Sequence, residues 1–135
     1  MSGGDVPGSN GFSLLHDKQD RFSLSLINGT KMWNLNPKSF PDGWFHFAFT
    51  WHLETGLKCF QNGTLVGEKI MPESVTKSNT NLLKHLVIGV PTPIKNHSVP
   101  DLKMYGLAIW NRAILEEEIN DNMMSGITNY VLLLF

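Results

Sequence analysis

The chain has 135 residues, 41% of them hydrophobic and 10% aromatic, with 11 Lys+Arg against 12 Asp+Glu. This length and apolar content suit one domain with its own core and exclude global disorder. A formal net charge of −1 argues against nucleic acid as a partner, and the single cysteine, Cys59, excludes an internal disulfide or a multi-cysteine zinc site.

The N-terminal third predicts a flexible segment followed by a hairpin. Residues 1–10 (MSGGDVPGSN) have neither the basic start nor the apolar run of a signal peptide and are expected to be flexible. Two short strands follow, Gly11–Leu15 and Phe22–Ile27, and the second alternates apolar residues with Ser, as a half-buried strand does. Asn28-Gly29 before Thr30–Leu35 predicts a type I′ hairpin turn, because this pair tolerates positive φ at both central positions.

The middle of the chain predicts a central strand and a second hairpin. After the turn-forming residues 36–43, Trp44–Trp51 (WFHFAFTW) is the most apolar segment, with aromatic side chains alternating along one face. Leu57–Gln61 and Leu65–Lys69 then flank a second Asn-Gly pair, Asn62-Gly63. This arrangement predicts a second two-residue turn.

The last third predicts a polar connection, two more strands, a helix and a final strand. Residues 72–81 (PESVTKSNTN) lack periodicity and predict a surface connection. Strands are expected over Leu86–Gly89 and Leu102–Trp110, and Ala113–Met123 changes to a helical period. Tyr130–Phe135 (YVLLLF) is far shorter than the roughly 20 residues that cross a bilayer, so it predicts a strand and no membrane insertion.

Four of these segments, in this order, resemble the laminin-G-like and pentraxin-like group of concanavalin A-like jelly rolls. They are Trp44–Trp51, Gly56–Leu65, Leu86–Gly89, and Leu107–Ile114 with Glu116–Ile119. The residues of these segments are most similar to those of the pentraxin-like ectodomain module of some adhesion G-protein-coupled receptors. The resemblance extends from about Gly11 to the end of the chain, so residues 11–135 are expected to form a single domain.

The resemblance implies an all-β fold, an antiparallel two-sheet jelly-roll sandwich with one short helix near the C-terminus. It implies a non-catalytic recognition or adhesion module of a larger cell-surface or secreted protein, with a protein or glycan as ligand. A lectin-like domain or a glycosidase relative on the same sandwich is the alternative, motivated by the four tryptophans. The family's opening strands are missing ahead of Gly11, so the chain is expected to be N-terminally incomplete; a truncated chain without independent function also stays open.

Calcium is not carried over from the family. Pentraxins place acidic and amide residues after the strand that matches Leu86–Gly89, because calcium takes several hard oxygen ligands. The corresponding residues here are Val90, Pro91, Thr92 and Pro93, which contain no carboxylate. No cofactor or metal site is therefore expected, and the five histidines, which lack metal-ligand spacing, are interpreted as half-buried side chains beside a sheet.

Three sequons for N-linked glycans lie in predicted turns or loops. They begin at Asn28, Asn62 and Asn96 and read Asn-Gly-Thr, Asn-Gly-Thr and Asn-His-Ser. At Asn28 and Asn62 the needs of a tight turn explain the Asn-Gly pair equally well. Asn96 has no such explanation, although sequons also arise by chance.

Aromatic and sulfur side chains are assigned mainly to the core. Trp44, Trp51 and Trp110 lie in family-like strands and are expected to pack inside. Trp33 lies beside a turn and is the candidate for an exposed aromatic that stacks on a ligand. Cys59 is expected to be a buried, inert thiol.

No catalytic residue is predicted, so the chain is not expected to be an enzyme. Glycosidases on this sandwich hold two acids on a strand, about 5 to 10 Å apart. Glu116, Glu117 and Glu118 are instead consecutive at the start of a helix, where they complement its positive end. Ser13, His16 and Asp17 have no nucleophile-elbow motif around them.

Overall fold

The computed structural model describes residues 10–16, 22–37, 43–76, 103–104, 106–124 and 131–134. Within these residues the chain forms β1 Gly11–His16, β2 Phe22–Asn28, β3 Lys31–Leu35, β4 Phe47–His52, β5 Gly56–Gln61, β6 Thr64–Lys69, β7 Glu73–Ser74, β8 Leu107–Trp110, α1 Glu116–Met124 and β9 Val131–Leu134. The predicted N-terminal segment up to residue 9, the predicted strand Leu86–Gly89, the loop Val90–Pro93 and Asn96 lie outside them. The prediction of a mostly β fold in two sheets with one short helix near the C-terminus is confirmed.

The chain divides into two units, and the first, Met1–Ser39 with Met71–Leu102, contains a four-stranded antiparallel sheet in the order β1-β2-β3-β7. Its core is apolar: Leu24 lies opposite Leu35, and Leu26 opposite Trp33. Trp33 is 0% exposed, so the prediction that it is an exposed stacking aromatic is wrong. Its strand position places it beside Leu26 on the buried face, which outweighs its closeness to the turn.

Two local predictions for this unit are also wrong. The connection predicted over residues 72–81 contains β7, where Ser74 pairs with Lys31 and the Val75 N–H donates to the Thr30 carbonyl at 2.9 Å. In the first hairpin Asn28 pairs with Lys31, so the turn is centred on Gly29 and Thr30 rather than on Asn28-Gly29. This register pairs apolar residues with each other, whereas the predicted turn would set Lys31 opposite the buried Leu26.

The second unit, Phe40–Ile70 with Lys103–Phe135, contains a five-stranded sheet in the order β6-β5-β4-β9-β8. Strands β4, β5 and β6 are antiparallel neighbours, while β9 runs parallel to both β4 and β8. The strand predicted at the C-terminal apolar run is confirmed as β9. Strand β4 begins at Phe47, three residues later than the predicted start at Trp44.

Both faces of β4 are buried, which makes it the centre of this unit. On one face Phe49 lies opposite Cys59, and both side chains are fully buried. On the other, Ala48 and Phe60 form a cluster with Ile114 and Ile119. The small side chain at Ala48 leaves room for α1, and Ile119 of α1 fills that room. The helix therefore lies on the face of the sheet that carries Ala48.

Candidate functional site

The β5–β6 turn is the framework of the candidate site. Gln61 pairs with Thr64, so Asn62 and Gly63 are the two central residues, and their φ angles are 48° and 76°. Positive φ at both positions is what a type I′ turn requires, and Asn and Gly tolerate it best. The second predicted Asn-Gly hairpin is therefore confirmed.

Asn62 ties this turn to the segment that leads into β4. Its backbone N–H donates to the His46 carbonyl at 2.9 Å, and its Oδ1 accepts from the His46 backbone N–H at 2.8 Å. One asparagine thus satisfies both backbone polar groups of a buried residue just before β4 begins. These two hydrogen bonds fix the backbone of His46 against the turn.

The side chain of His46 is a buried polar group without a described partner. It is 6% exposed, and within the described ranges neither Nδ1 nor Nε2 has a hydrogen-bond partner, nor has the buried Nε2 of Gln61. Desolvation by burial lowers the pKa of His46 from its usual 6.5, so the imidazole is neutral at neutral pH. A neutral imidazole offers one donor and one acceptor, and buried polar groups normally bond to another protein group or to an ordered water.

Helix α1 is fixed at its start by a carboxylate. Glu118 Oε2 accepts from the Leu115 backbone N–H at 2.8 Å, which is the Glu half of a capping box. The guanidinium of Arg112 also donates to both carboxylate oxygens, at 2.9 and 2.5 Å. These hydrogen bonds, the one from Arg112 first, lower the pKa of Glu118 to about 2. The interpretation that the acids serve the helix start is confirmed for Glu118.

The same helix covers the β5–β6 turn. Gly63 is buried, and a Cβ at this position would clash with Asn120 Oδ1 and lie 3.2 Å from Met123 Cε. The positive φ of Gly63 favours glycine, and any larger residue would also have to displace the Asn120 side chain. Asn120 and Met123 therefore lie directly against the turn that holds His46.

Two large apolar side chains close in sequence to these groups are exposed. Trp44, two residues before His46, is 66% exposed, and Met124, which follows Met123, is 78% exposed. The prediction that Trp44 lies in the core is wrong, because β4 begins after it and the strand's alternation does not reach it. We define the turn surface as the following residues: Trp44, His46, Gln61, Asn62, Gly63, Asn120, Met123 and Met124.

Sequence reasoning missed most of the turn surface. It assigned the stacking role to Trp33, which is buried, whereas the exposed tryptophan is Trp44. One signal was available: the turn-forming stretch that ends at Gly43 stands directly before Trp44, and strand alternation is least reliable at an element's boundary. The unsatisfied atoms of His46 and Gln61 had no signal in the sequence.

The other predicted residues lie apart from this surface or have no reactive environment. Asn28 is the exposed last residue of β2, in the first unit. Cys59 is fully buried, and desolvation raises the pKa of its thiol to about 12, so it stays protonated. In the part of the chain that the structure describes, no three His, Cys, Asp or Glu residues are grouped to hold a metal ion. Among the described helical residues, none forms a helix long and apolar enough to cross a bilayer.

Comparison with known proteins gives one match. The family model Laminin_G_3, described as the concanavalin A-like lectin/glucanases superfamily, matches residues 2–120. No curated protein and no solved structure matches the chain significantly. The family match spans the four segments that carry the resemblance in the sequence.

Proposed function

Because the chain belongs to the laminin-G-like domains of the concanavalin A-like superfamily, we propose that it is a non-catalytic recognition module that binds a protein or glycan ligand outside the cell. Domains of this family are generally non-catalytic and typically extracellular. Fold alone does not determine function, so the proposal depends on the turn surface.

The observation that carries the proposal is the exposure of Trp44, a large aromatic side chain two residues before the buried His46. An indole that is 66% exposed offers a flat apolar face for a sugar ring or an apolar side chain. The imidazole nitrogens of His46 and the Nε2 of Gln61 are buried, so contact with a ligand falls to exposed groups such as Trp44 and Asn62. Apolar area with a few polar groups is the usual composition of a recognition site.

The acids at the start of α1 favour binding over catalysis. Glu118 is engaged by the Arg112 guanidinium and the Leu115 N–H, and its pKa of about 2 makes it a poor general acid at neutral pH. Glu116 and Glu117 are exposed on the same helical turn. A glycosidase needs two carboxyl groups that face a common groove.

The test uses an array of oligosaccharides and a panel of recombinant extracellular domains, probed with the wild-type chain, Trp44→Ala and Leu53→Ala. Leu53 is the matched control, because it is 55% exposed in the same unit but lies in the β4–β5 connection. We expect at least about tenfold weaker binding for Trp44→Ala, as for a central interface aromatic, and no change for Leu53→Ala. Equal loss in both variants, or none in Trp44→Ala, contradicts the proposal.

The finer alternatives separate in the same assay. Binding restricted to oligosaccharides supports a lectin-like domain, and binding to protein ectodomains supports an adhesion module of the pentraxin-like kind found in receptors. Turnover of a reporter glycoside that a single Glu→Gln change abolishes would instead establish a glycosidase. We propose that binding is independent of calcium, because Val90–Pro93 lacks a carboxylate, so a chelator should leave it unchanged.

A further inference from the structure

We propose that the two Asn-Gly-Thr sequons are not equivalent: Asn28 accepts an N-linked glycan, whereas Asn62 stays unmodified because the fold uses its side chain. The inference rests on the extracellular location in the proposed function, since only a chain that enters the secretory pathway meets the glycan donor. It adds a modification site, and it assigns the second sequon to the turn surface.

The surroundings of Asn28 leave room for a glycan. Asn28 is exposed at the end of β2, and Thr30, which supplies the sequon hydroxyl, is exposed as well. A Cβ built on Gly29, between them, has no described atom within 4 Å. Asn28 is thus an exposed side chain at the end of an extended strand, and the next position of the turn has space for an added atom among the described residues.

The surroundings of Asn62 are the opposite. Asn62 is also exposed, but its Oδ1 is held 2.8 Å from the His46 N–H, which fixes the orientation of the whole amide. A Cβ on Gly63 would clash with Asn120 of α1, so the centre of this sequon is covered by the helix. Its φ of 48° also places Asn62 in the left-handed region, far from an extended conformation.

The chemistry at Asn28 is a glycosyl transfer from a lipid pyrophosphate-linked oligosaccharide. The side-chain Nδ2 forms a bond to C1 of the first sugar, the bond from C1 to the pyrophosphate oxygen breaks, and the amide nitrogen loses one proton. The lipid pyrophosphate leaves with the bonding electron pair, and no oxidation occurs. The reaction requires that Nδ2 can turn toward the donor, which the bond between Asn62 Oδ1 and His46 opposes.

The test reads site occupancy in the full chain, expressed behind a secretion leader in animal cells with Asn96→Gln to remove the third sequon. Enzymatic glycan release in heavy-oxygen water, followed by peptide mass mapping, labels each asparagine that carried a glycan. We expect occupancy at Asn28 to exceed that at Asn62 several-fold. Thr30→Ala should abolish it at Asn28, and Thr64→Ala should leave the pattern unchanged.

A second variant tests whether the fold or the local sequon sequence limits glycan occupancy at Asn62. Ile119→Asp places a charge in the buried cluster with Ala48 and Phe60 and releases α1 from the turn. Occupancy at Asn62 should then rise several-fold while Asn28 is unaffected, and the readout holds even if this variant fails to fold. Equal occupancy at both sites in the parent chain, no glycan at Asn28, or no rise at Asn62 in Ile119→Asp overturns the inference. Ligand binding by the turn surface does not enter this readout, so failure of either proposal is seen separately.

Discussion

The two Asn-Gly-Thr hairpins show how one tripeptide takes two structural roles. In the β2–β3 turn Gly29 and Thr30 are central and only Gly29 has positive φ, as in type II′, and the Gly29 N–H donates to Asn10 Oδ1 at 2.8 Å. In the β5–β6 turn Asn62 and Gly63 are both central, and Asn62 itself accepts from His46. In the first turn, a backbone N–H donates to an asparagine that lies outside the hairpin. In the second turn, the asparagine belongs to the turn and accepts from a backbone N–H outside the hairpin.

The difference is set by the register of the flanking strands and by what lies above the turn. Pairing Leu26 with Trp33 moves the first turn one residue along the chain, so Asn28 remains in its strand. The second turn keeps the Asn-Gly pair at its centre, and α1 covers it. An Asn-Gly pair therefore predicts a turn, while its side-chain role depends on distant residues.

The largest loss of folding stability should come from adding a Cβ to the glycine of each turn. Gly29→Ala and Gly63→Ala both force alanine into positive φ, which costs about 1 to 2 kcal/mol of unfolding free energy. Gly63→Ala also pushes against Asn120, so we expect about 3 kcal/mol there by urea denaturation. Adding Asn120→Ala should restore the extra unfolding free energy that Gly63→Ala loses, and it should not change the loss in Gly29→Ala. Equal costs at the two glycines would show that α1 does not press on the turn.

The next largest loss of folding stability should come from truncating the asparagine of each turn to alanine. Asn62→Ala leaves the His46 N–H without its acceptor and puts alanine into positive φ, for a loss of about 2 kcal/mol. Asn28→Ala changes an exposed strand end and should stay within about 0.5 kcal/mol of the wild type. Chemical denaturation of both variants measures the contrast, and a costly Asn28→Ala would be inconsistent with its exposed position.

The pH dependence of stability near pH 6 should reflect His46, whose backbone is bonded to Asn62 of the second hairpin. Because burial lowers its pKa in the folded state, the unfolded chain binds the proton first. The stability contribution is therefore complete above about pH 6.5 and is lost as the pH falls below that value. His46→Leu should remove this part of the acid-induced loss, as measured by denaturation midpoints from pH 8 to about pH 5. An unchanged profile in His46→Leu would show that other groups titrate there.

The smallest effect should come from Glu118, which positions the helix over the second turn. Its pKa is lowered to about 2 in the folded state, so its contribution is present above about pH 4.5 and is lost as the pH falls toward 2. Glu118→Gln should lower the midpoint slightly at neutral pH, and salt should weaken the wild-type contribution because the Arg112 pair is exposed. The matched variant Glu116→Gln should have less effect. A reversed order would mean that Glu118 does not hold the helix start.

Local patterns predicted the strands well, and long-range packing explains what they missed. Alternation in β2, and the Asn-Gly turn between β5 and β6, located these three strands to within one residue. The two-residue strand β7 is polar, and only its pairing with β3 defines it. The parallel pairing of β9 likewise depends on which strands are its neighbours. Trp33 and Trp44 exchanged their predicted environments, because burial depends on strand register and boundaries that composition does not fix.

Amide hydrogen exchange at Gly29 and His46 tests most directly the claim that the two sequons differ in structural role. We predict that both amides are protected in the wild type, that Asn62→Ala exposes the His46 amide alone, and that Asn10→Ala exposes the Gly29 amide alone. Asn28→Ala should change neither. Unchanged protection of His46 in Asn62→Ala, or loss of protection at either amide in Asn28→Ala, would contradict the account.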